Sequence, residues 1–240
     1  MRWHPLFDLV LLILVVASCL MWGIVAYEKI YNERATSVTE EIADNVENKT
    51  SAEIADILQQ YDRRCIGWVV WDSGIVREPI VRGGKNSDWI RTSITGGYDP
   101  YGTVFIDAKG DPSDENITLY GHSAVGNRQS TLRFSQLQWL HEQDAFDANR
   151  DLTIIWNGRS HRYRTAAVCV VDTTVDPWAY EQNVFQDHIE KERWITNVKK
   201  RNLVESDIVL RKEDRFATFQ TCLDDDSGRR VIVIAVEAVG

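Results

Sequence analysis

The pattern of apolar and polar positions divides this chain into three regions. Residues 1–27 are dominated by an apolar run that has no charge between Asp8 and Glu28, close to the roughly 20 residues that a helix needs to cross a bilayer. Residues 28–64 are polar with narrow apolar stripes, and residues 65–240 contain repeated short runs of β-branched and aromatic residues. The pattern predicts an anchor, a helical segment and one β-rich domain, in that order.

The apolar run has three candidate uses. A cleaved signal peptide would have a shorter apolar region and a small-residue cleavage site, whereas residues 20–25 prolong the run. Residues 16–19 resemble a lipoprotein box, but polar residues normally follow such a box and Cys19 lies inside the run. We favour an uncleaved anchor. Arg2 precedes the run and Glu28 follows it, which predicts a single-pass cell-membrane protein with a cytoplasmic N-terminus and an external domain.

Residues 28–64 predict a pair of helices. Residues 37–40 and residues 50–53 both match the capping box that begins a helix. We expect the pair to pack on the domain while it leads away from the membrane, with a solvated stalk as the alternative. Apolar residues recur at three-to-four spacing after each box and give each helix one apolar stripe: Ile42 and Val46, then Ile54, Ile57, Leu58 and Tyr61.

The rest of the chain predicts a mostly β fold with peripheral helices. Asp176 followed by Pro177 matches the first residues of a helix that precedes the last strands. Many short strands with only local helices indicate a closed or nearly closed β-barrel of about eight strands rather than βαβ layers. The expected strands are 66–71, 75–81, 103–106, 116–120, 152–156, 162–171, 215–221 and 231–239.

Composition excludes several classes of protein. The net charge is −9 and no basic stripe is interleaved with aromatic residues, which argues against nucleic-acid binding. Four cysteines are too few for a disulfide scaffold, and Cys65 and Cys169 fit buried apolar positions. No spacing of histidines and cysteines indicates zinc. Residues 224–226 are three aspartates without the spacing of a calcium loop, so we interpret them as a solvated turn.

The candidate chemistry lies where predicted strands end. One strand closes with Cys222, and Arg229 and Arg230 begin the last strand after a turn-forming loop. If these two strands pair antiparallel, a thiol and a guanidinium share one space. His122 follows Gly121 at the end of another predicted strand, and this context makes it the best partner for the thiol among the five histidines.

At these positions the sequence resembles the sortases, the membrane-anchored cysteine transpeptidases of Gram-positive cell surfaces. The resemblance rests on Tyr120-Gly121-His122, on Thr218-x-x-Thr221-Cys222 and on the downstream Arg230, and it extends over residues 66–240. Arg230 is preferred because the family's arginine leads directly into the last strand, and Arg229 is the alternative.

Several segments are similar to class B sortases in particular. They are Ile66–Trp68, Pro79–Val81, Asn86–Gly96 and Gly102–Asp107, together with the N-terminal helical pair and the long helix before the final strands. Two departures concern substrate choice more than reaction type. Phe219 and Gln220 replace a usual Leu-Ser pair, and residues 123–126 replace the usual Asn-Met or Arg-Met after the histidine.

The resemblance implies a reaction and a site. Cys222 would attack after a threonine in a sorting motif, His122 would protonate the departing amine, and Arg230 would stabilise the developing oxyanion. It implies no cofactor and no metal. Asn86 and Ile90 fall where class B sortases line the peptide groove, and Gln220 and Thr221 flank the nucleophile; ordinary packing is the alternative for each of these four.

The sequence therefore predicts a class B sortase that joins surface proteins bearing a C-terminal sorting signal to an amine of a peptidoglycan precursor or a pilin. Two alternatives stay open. One is a cysteine peptidase that only hydrolyses, and the other is a surface β-barrel module without catalytic activity. The identities of the motif, the amine and the target protein cannot be read from the sequence.

Overall fold

A computed structural model of the chain describes residues 5–223 and 228–238, without the side chains of residues 5, 6, 28, 31, 32, 34 and 35. Within this part of the chain there are four α-helices and eight strands. The helices are α1 (Pro5–Val46), α2 (Ser51–Tyr61), α3 (Gln143–Ala148) and α4 (His188–Arg201). The strands are β1 (Cys65–Trp71), β2 (Arg77–Val81), β3 (Phe105–Ile106), β4 (Asn116–Tyr120), β5 (Asp151–Trp156), β6 (Arg159–Asp172), β7 (Phe216–Cys222) and β8 (Arg229–Glu237).

The strands form a closed barrel in the order β1-β2-β3-β4-β7-β8-β6-β5. The predicted fold class and the eight expected strands are therefore confirmed, with small differences at their ends. β7 pairs antiparallel with β8, and β4 pairs parallel with β7. Parallel neighbours need a long connection, and here residues 121–215 supply it, with α3, β5, β6 and α4 between β4 and β7.

Alternation along the strands separates the barrel interior from its outer face. In β7, Phe219 packs in the interior, where its ring contacts Trp71 and Phe134 at centroid distances of 4.8 and 5.9 Å. Phe216 faces outward and packs against α4, with a distance of 5.2 Å between the ring centroids of Phe216 and Trp194. Because successive side chains of a strand point to opposite faces, Gln220 and Cys222 follow Phe216 onto the outer face.

The N-terminal segment is one long helix followed by a short one. The expectation of a separate helix beginning near residue 37 is wrong, because no glycine or proline interrupts the sequence between Gly23 and Asn48, and α1 continues through that box. Asn48 ends it with a left-handed φ of 58°. The second box is confirmed: the Thr50 side chain accepts a hydrogen bond from the Glu53 backbone at the start of α2.

The last helix begins later than its predicted start. Asp176 does not cap a helix; its carboxylate accepts from the Trp178 backbone and pairs with Arg201, with an Nε–Oδ2 distance of 2.7 Å. α4 instead begins after Asp187, whose side chain accepts from the backbone N–H of Glu190 at 2.8 Å. The residues between the two aspartates lie outside any helix and carry part of one wall of the cavity described below.

Residues Phe7–Tyr27 of α1 form one helical stretch long and apolar enough to cross a membrane. Its side chains contribute nothing to the buried core of the described chain. The far end of α1 does contribute, since Ile42, Ala43 and Val46 are buried against α2 and the outer face of β1 and β2.

Candidate active site

One cavity of about 390 Å³ lies at the ends of β4, β7 and the beginning of β8. It brings together all three predicted catalytic residues and three of the four predicted substrate-binding residues, which are distant in sequence. The lining residues are Asn86, Ile90, Phe105, Tyr120, Gly121, His122, Tyr180, Glu181, Gln220, Cys222 and Arg230.

The parallel pairing of β4 and β7 brings His122 beside Cys222. Tyr120 lies opposite Gln220 in the ladder, so the residues two positions later, His122 and Cys222, leave the sheet side by side. Two hydrogen bonds extend this pairing past the strand ends. The Gly121 N–H donates to the Gln220 carbonyl at 3.1 Å, and the Ser123 hydroxyl donates to the Cys222 carbonyl at 2.7 Å.

The antiparallel pairing of β7 and β8 distinguishes the two candidate arginines. Cys222 lies directly opposite Arg230 in the ladder, and Arg230 lines the cavity. Arg229 is exposed and lies opposite Asp172 of β6. Because neighbouring strand residues point to opposite faces, only one of the two can share the outer face with Cys222. The geometry favours Arg230.

The His122 ring is half-buried in a mixed electrostatic environment. Burial lowers the pKa of His122 below its ordinary value, and the positive charges of Arg91 and Arg133 lower it further. A hydrogen bond to the Ile90 backbone and the charge of Asp99 act in the opposite direction. The neutral imidazole is therefore the main form at neutral pH.

A hydrogen-bonded carboxylate connects three walls of the cavity. Asp107 is buried, and its Oδ2 accepts from Asn86 Nδ2 and from the Tyr120 hydroxyl, both at 2.9 Å. Its Oδ1 accepts from the Lys109 backbone at 2.8 Å and from Asn183 Nδ2 at 3.4 Å. Asp107 was not predicted as a site residue, although a charged residue directly after a short buried strand was the available signal.

The predicted substrate-binding residues differ in how their side chains are engaged. The Asn86 amide is held at both ends, since its oxygen also accepts from the Ala108 backbone at 2.7 Å. Ile90 is 37% exposed at the rim. Gln220 accepts a short hydrogen bond from the Tyr180 hydroxyl, a contact that the sequence did not reveal. Thr221 is buried on the opposite face from Gln220 and does not line the cavity, so its role in binding stays a prediction.

Cys65 and Cys169 behave as buried apolar residues. Burial raises the pKa of each thiol to about 12, which keeps both protonated at neutral pH. Among residues 5–223 and 228–238, no group of three or more histidine, cysteine or acidic side chains could hold a metal ion. The three aspartates at 224–226, predicted to form a solvated turn, lie outside the described residues.

Comparisons with known proteins agree with the predicted resemblance to class B sortases. No family model matches the chain. The chain is 24% identical over 221 residues to sortase B of Listeria monocytogenes, covering 88% of this chain and 87% of the relative. It is 20% identical over 182 residues to sortase B of Staphylococcus aureus, covering 74% of this chain and 72% of the relative.

Solved structures have the same fold. The S. aureus sortase B–substrate complex matches with a TM-score of 0.73 at 17% identity, covering 88% of this chain and 96% of that structure. A sortase B structure complexed with triglycine matches with a TM-score of 0.75 at 18% identity, covering 88% and 98%. The chain therefore has the class B sortase fold, and the predicted resemblance to class B sortases is confirmed.

Proposed function

We propose that this chain is a membrane-anchored cysteine transpeptidase of the class B sortase type. It cleaves a C-terminal sorting motif after threonine and transfers the protein to an amine of the cell wall or of a pilin. The observation that carries the proposal is the cavity shared by Cys222, His122 and Arg230. The class B fold and the similarity to two sortase B proteins support it.

In the first half of the reaction, the Cys222 thiolate attacks the scissile carbonyl carbon. The carbonyl electrons move to oxygen and form a tetrahedral intermediate. When the electrons return, the carbon–nitrogen bond breaks, a thioester remains on Cys222, and the His122 imidazolium donates its proton to the leaving amine. Arg230 stabilises the developing oxyanion. Its guanidinium is suited to this role because it is always charged and presents several N–H donors in one plane.

In the second half, an amine attacks the thioester carbonyl carbon. His122, now neutral, accepts the proton of the amine, and the Cys222 thiolate leaves as the new peptide bond forms. One peptide bond is exchanged for another, so no cofactor or external energy source is needed. The sortase B structures with a substrate and with triglycine support the expectation of a peptide donor and an amine acceptor.

The lowered pKa of His122 determines the expected pH profile. The imidazolium is lost as the pH rises through that pKa, which lies below the ordinary 6.5. The thiolate is gained as the pH rises through the pKa of a thiol, ordinarily near 8.5. The required ion pair is therefore a minor population between these two values, and transfer activity should be bell-shaped with its acid limb below pH 6.5.

A peptide-library transfer assay tests the proposal. The chain is incubated with fluorogenic peptides that vary around a central threonine, with and without triglycine, and products and the Cys222 thioester are identified by mass spectrometry. We expect a threonine–glycine product that depends on triglycine. Hydrolysis without transfer would support the peptidase alternative, and no thioester with any peptide would contradict both enzymatic functions.

Matched variants assign the roles. Cys222→Ala should abolish the thioester, and His122→Ala should lower the transfer rate by about 10²–10⁴-fold, as for loss of a general acid. Arg230→Ala should lower it by about 10²–10³-fold, as for loss of one oxyanion donor. Arg229→Ala is the control, because Arg229 is exposed and lies opposite Asp172. Equal losses in the two arginine variants would contradict the role given to Arg230.

A further inference from the structure

A buried arginine lies at the centre of a polar cluster outside the cavity. Arg133 is 3% exposed, and its Nε donates to the Gly102 carbonyl at 2.6 Å. Its Nη2 donates to Asp99 Oδ2 at 2.9 Å, and its Nη1 lies 3.2 Å from Glu78 Oε2 and 2.6 Å from Thr39 Oγ1. The guanidinium is therefore held by α1, by β2 and by the loop that precedes β3.

The backbone of Arg133 is constrained as well. Its φ is 49°, in the left-handed region that a residue with a long side chain rarely adopts. The N–H of Arg133 donates to Glu78 Oε1 at 2.9 Å. Burial raises the pKa of Glu78, against the opposing effect of Arg133. A buried charge cluster of this kind is weak evidence for stability, since apolar side chains often serve as well.

The residues that follow Arg133 hold the segment that contains His122. The N–H of Phe134 donates to the His122 carbonyl at 2.9 Å. The Phe134 ring packs so closely on Gly121 that a Cβ there would lie 2.6 Å from it. The Ser135 hydroxyl accepts from the Ala124 N–H at 2.8 Å. Phe134 and Ser135 thus fix both ends of the Gly121–Ala124 segment.

The cluster also acts on His122 through charge. Arg133 and Asp99 affect the His122 pKa in opposite directions. Arg91, which lies in the same loop as Asp99, also acts on the ring and lowers the His122 pKa. Around the cavity, the ionisable residues are Tyr120, Tyr180, Glu181, Cys222 and Arg230.

We propose that Arg133 is a positioning residue for His122: its fork, fixed by Glu78, Asp99 and Gly102, sets the left-handed turn that aims Phe134 at the His122 backbone. Arg133 does not line the cavity; it acts on His122 through this segment and through its charge. The role of His122 as general acid rests on the proposed function, whereas the coupling between the cluster and the His122 ring does not.

The first test is a titration that needs no activity. The His122 ring proton is followed by NMR in the full chain in detergent micelles, and it is assigned by its loss in His122→Gln. We expect the His122 pKa to rise in Arg133→Met and to fall in Asp99→Asn, because the two variants remove opposite charges. An unchanged His122 pKa in both variants would show that the cluster is not coupled to the ring, and that result would overturn the proposal.

The second test separates positioning from charge. Arg133→Lys keeps the charge and loses the fork, so kcat for transfer of the best library peptide to triglycine should fall about tenfold or more, while KM stays within about twofold. The control is Arg150→Met, which removes a partly buried arginine bonded to Thr165 and Asp207, outside the cavity. An unchanged kcat in Arg133→Lys, or an equal fall in the control, would overturn the proposal.

The two tests also separate failure of this inference from failure of the proposed function. If the wild-type chain transfers no peptide, the proposed function fails, and the NMR titration alone decides the role of Arg133. If Arg133→Met does not fold, as judged by near-ultraviolet circular dichroism, Arg133→Lys and Asp99→Asn carry the titration. In Arg133→Lys the charge persists, so a His122 pKa close to that of wild type, combined with a lower kcat, supports positioning.

Discussion

At the scale of single residues, the distance between thiol and imidazole depends on how the chain continues beyond the last paired residues of β4 and β7. Beyond those paired residues, the Ser123 hydroxyl donates a hydrogen bond to the Cys222 carbonyl and so keeps the two chain segments together. Ser123 is only 8% exposed, so water does not readily replace the hydroxyl. One side chain thereby ties the segment after the histidine to the backbone of the nucleophile.

Ser123→Ala should weaken this tie without changing any of the three reacting groups. Loss of one such hydrogen bond costs about 0.5–1.5 kcal/mol, which corresponds to a fall of up to about tenfold in the acylation rate if the lost energy misaligns the pair. The measurement is the rate of thioester formation under single-turnover conditions. Ser113→Ala is the control, since the Ser113 hydroxyl donates to Asp111 within an exposed turn. Identical rates in both variants would contradict the prediction.

Residue identities could be predicted where the chemistry coincides with strand ends. His122 and Cys222 stood out because each follows a recognisable apolar strand, and the ladder register then brings them together. Asp107 and Arg133 could not be found in this way, because their partners are distant along the chain: Asn183 lies 76 residues from Asp107 and Thr39 lies 94 residues from Arg133. Only the closed barrel makes these residues neighbours.

Thr221 shows what strict alternation could have indicated. Gln220 and Thr221 were predicted together because both precede the nucleophile. In a strand, however, only residues two positions apart share a face, so Gln220 faces the cavity with Cys222 while Thr221 turns inward with Phe219. The two-residue alternation of a strand could be read from the sequence. Which face of β7 points into the barrel became clear only when the strands that pair with β7 were known.

At the scale of elements, helix ends were less predictable than strands. Asp176 and Asp187 both have the residue type of a helix cap, and local sequence does not distinguish them. Tertiary contacts do: Arg201 binds the Asp176 carboxylate, and Trp178 and Tyr180 pack against Trp194 and the outer face of the barrel. The chain between the two aspartates therefore stays non-helical and supplies Tyr180 to the cavity.

The cavity walls come from separate elements that Asp107 holds together. Asp107→Asn replaces an oxygen acceptor by an amide that donates, so at least one of the bonds from Asn86, Tyr120 and Lys109 is lost. We expect KM for the best library peptide to rise about tenfold, on the scale of one or two lost hydrogen bonds, because the groove loses its shape. Alkylation of Cys222 by iodoacetamide should be unchanged, since Asp107 does not line the cavity beside the nucleophile.

The matched control for that experiment is Asp111→Asn. Asp111 also accepts several hydrogen bonds, from the backbone and hydroxyl of Ser113 and from the Arg82 guanidinium at 3.3 Å, but it lies in an exposed turn outside the cavity. A rise in KM of similar size in both variants, or a parallel change in the alkylation rate of Asp107→Asn, would contradict a specific role for Asp107 in the groove.

At the scale of the whole molecule, the three predicted regions do not contribute equally to the core. The side chains of residues 7–27 are exposed along their whole length. Residues 28–64 instead bury Ile42, Ala43, Val46, Ile54 and Leu58 over the outer face of β1 and β2. On the barrel side, these residues cover Cys65, Trp68, Val81 and Trp89.

Two truncations should therefore behave differently. Residues 7–27 bury no side chain within the described part of the chain, so residues 28–240 should melt cooperatively within a few degrees of the full chain in detergent. Removal of residues 1–64 strips five buried apolar side chains, worth on the order of 10 kcal/mol as an upper estimate. That loss is comparable to the whole stability of an ordinary domain, so residues 65–240 alone should lack a cooperative thermal transition.

The two truncations also decide how the predicted boundary at residue 64 should be understood. A hydrophobic pattern marks where helical sequence gives way to strands, but a folding unit ends where buried contacts end. Here those contacts cross the boundary, and the bond between Thr39 and Arg133 extends them toward the segment that holds His122. If residues 65–240 melt at the same temperature as residues 28–240, the folding unit ends at residue 64. The helical pair would then be a solvated stalk, the alternative given by the sequence.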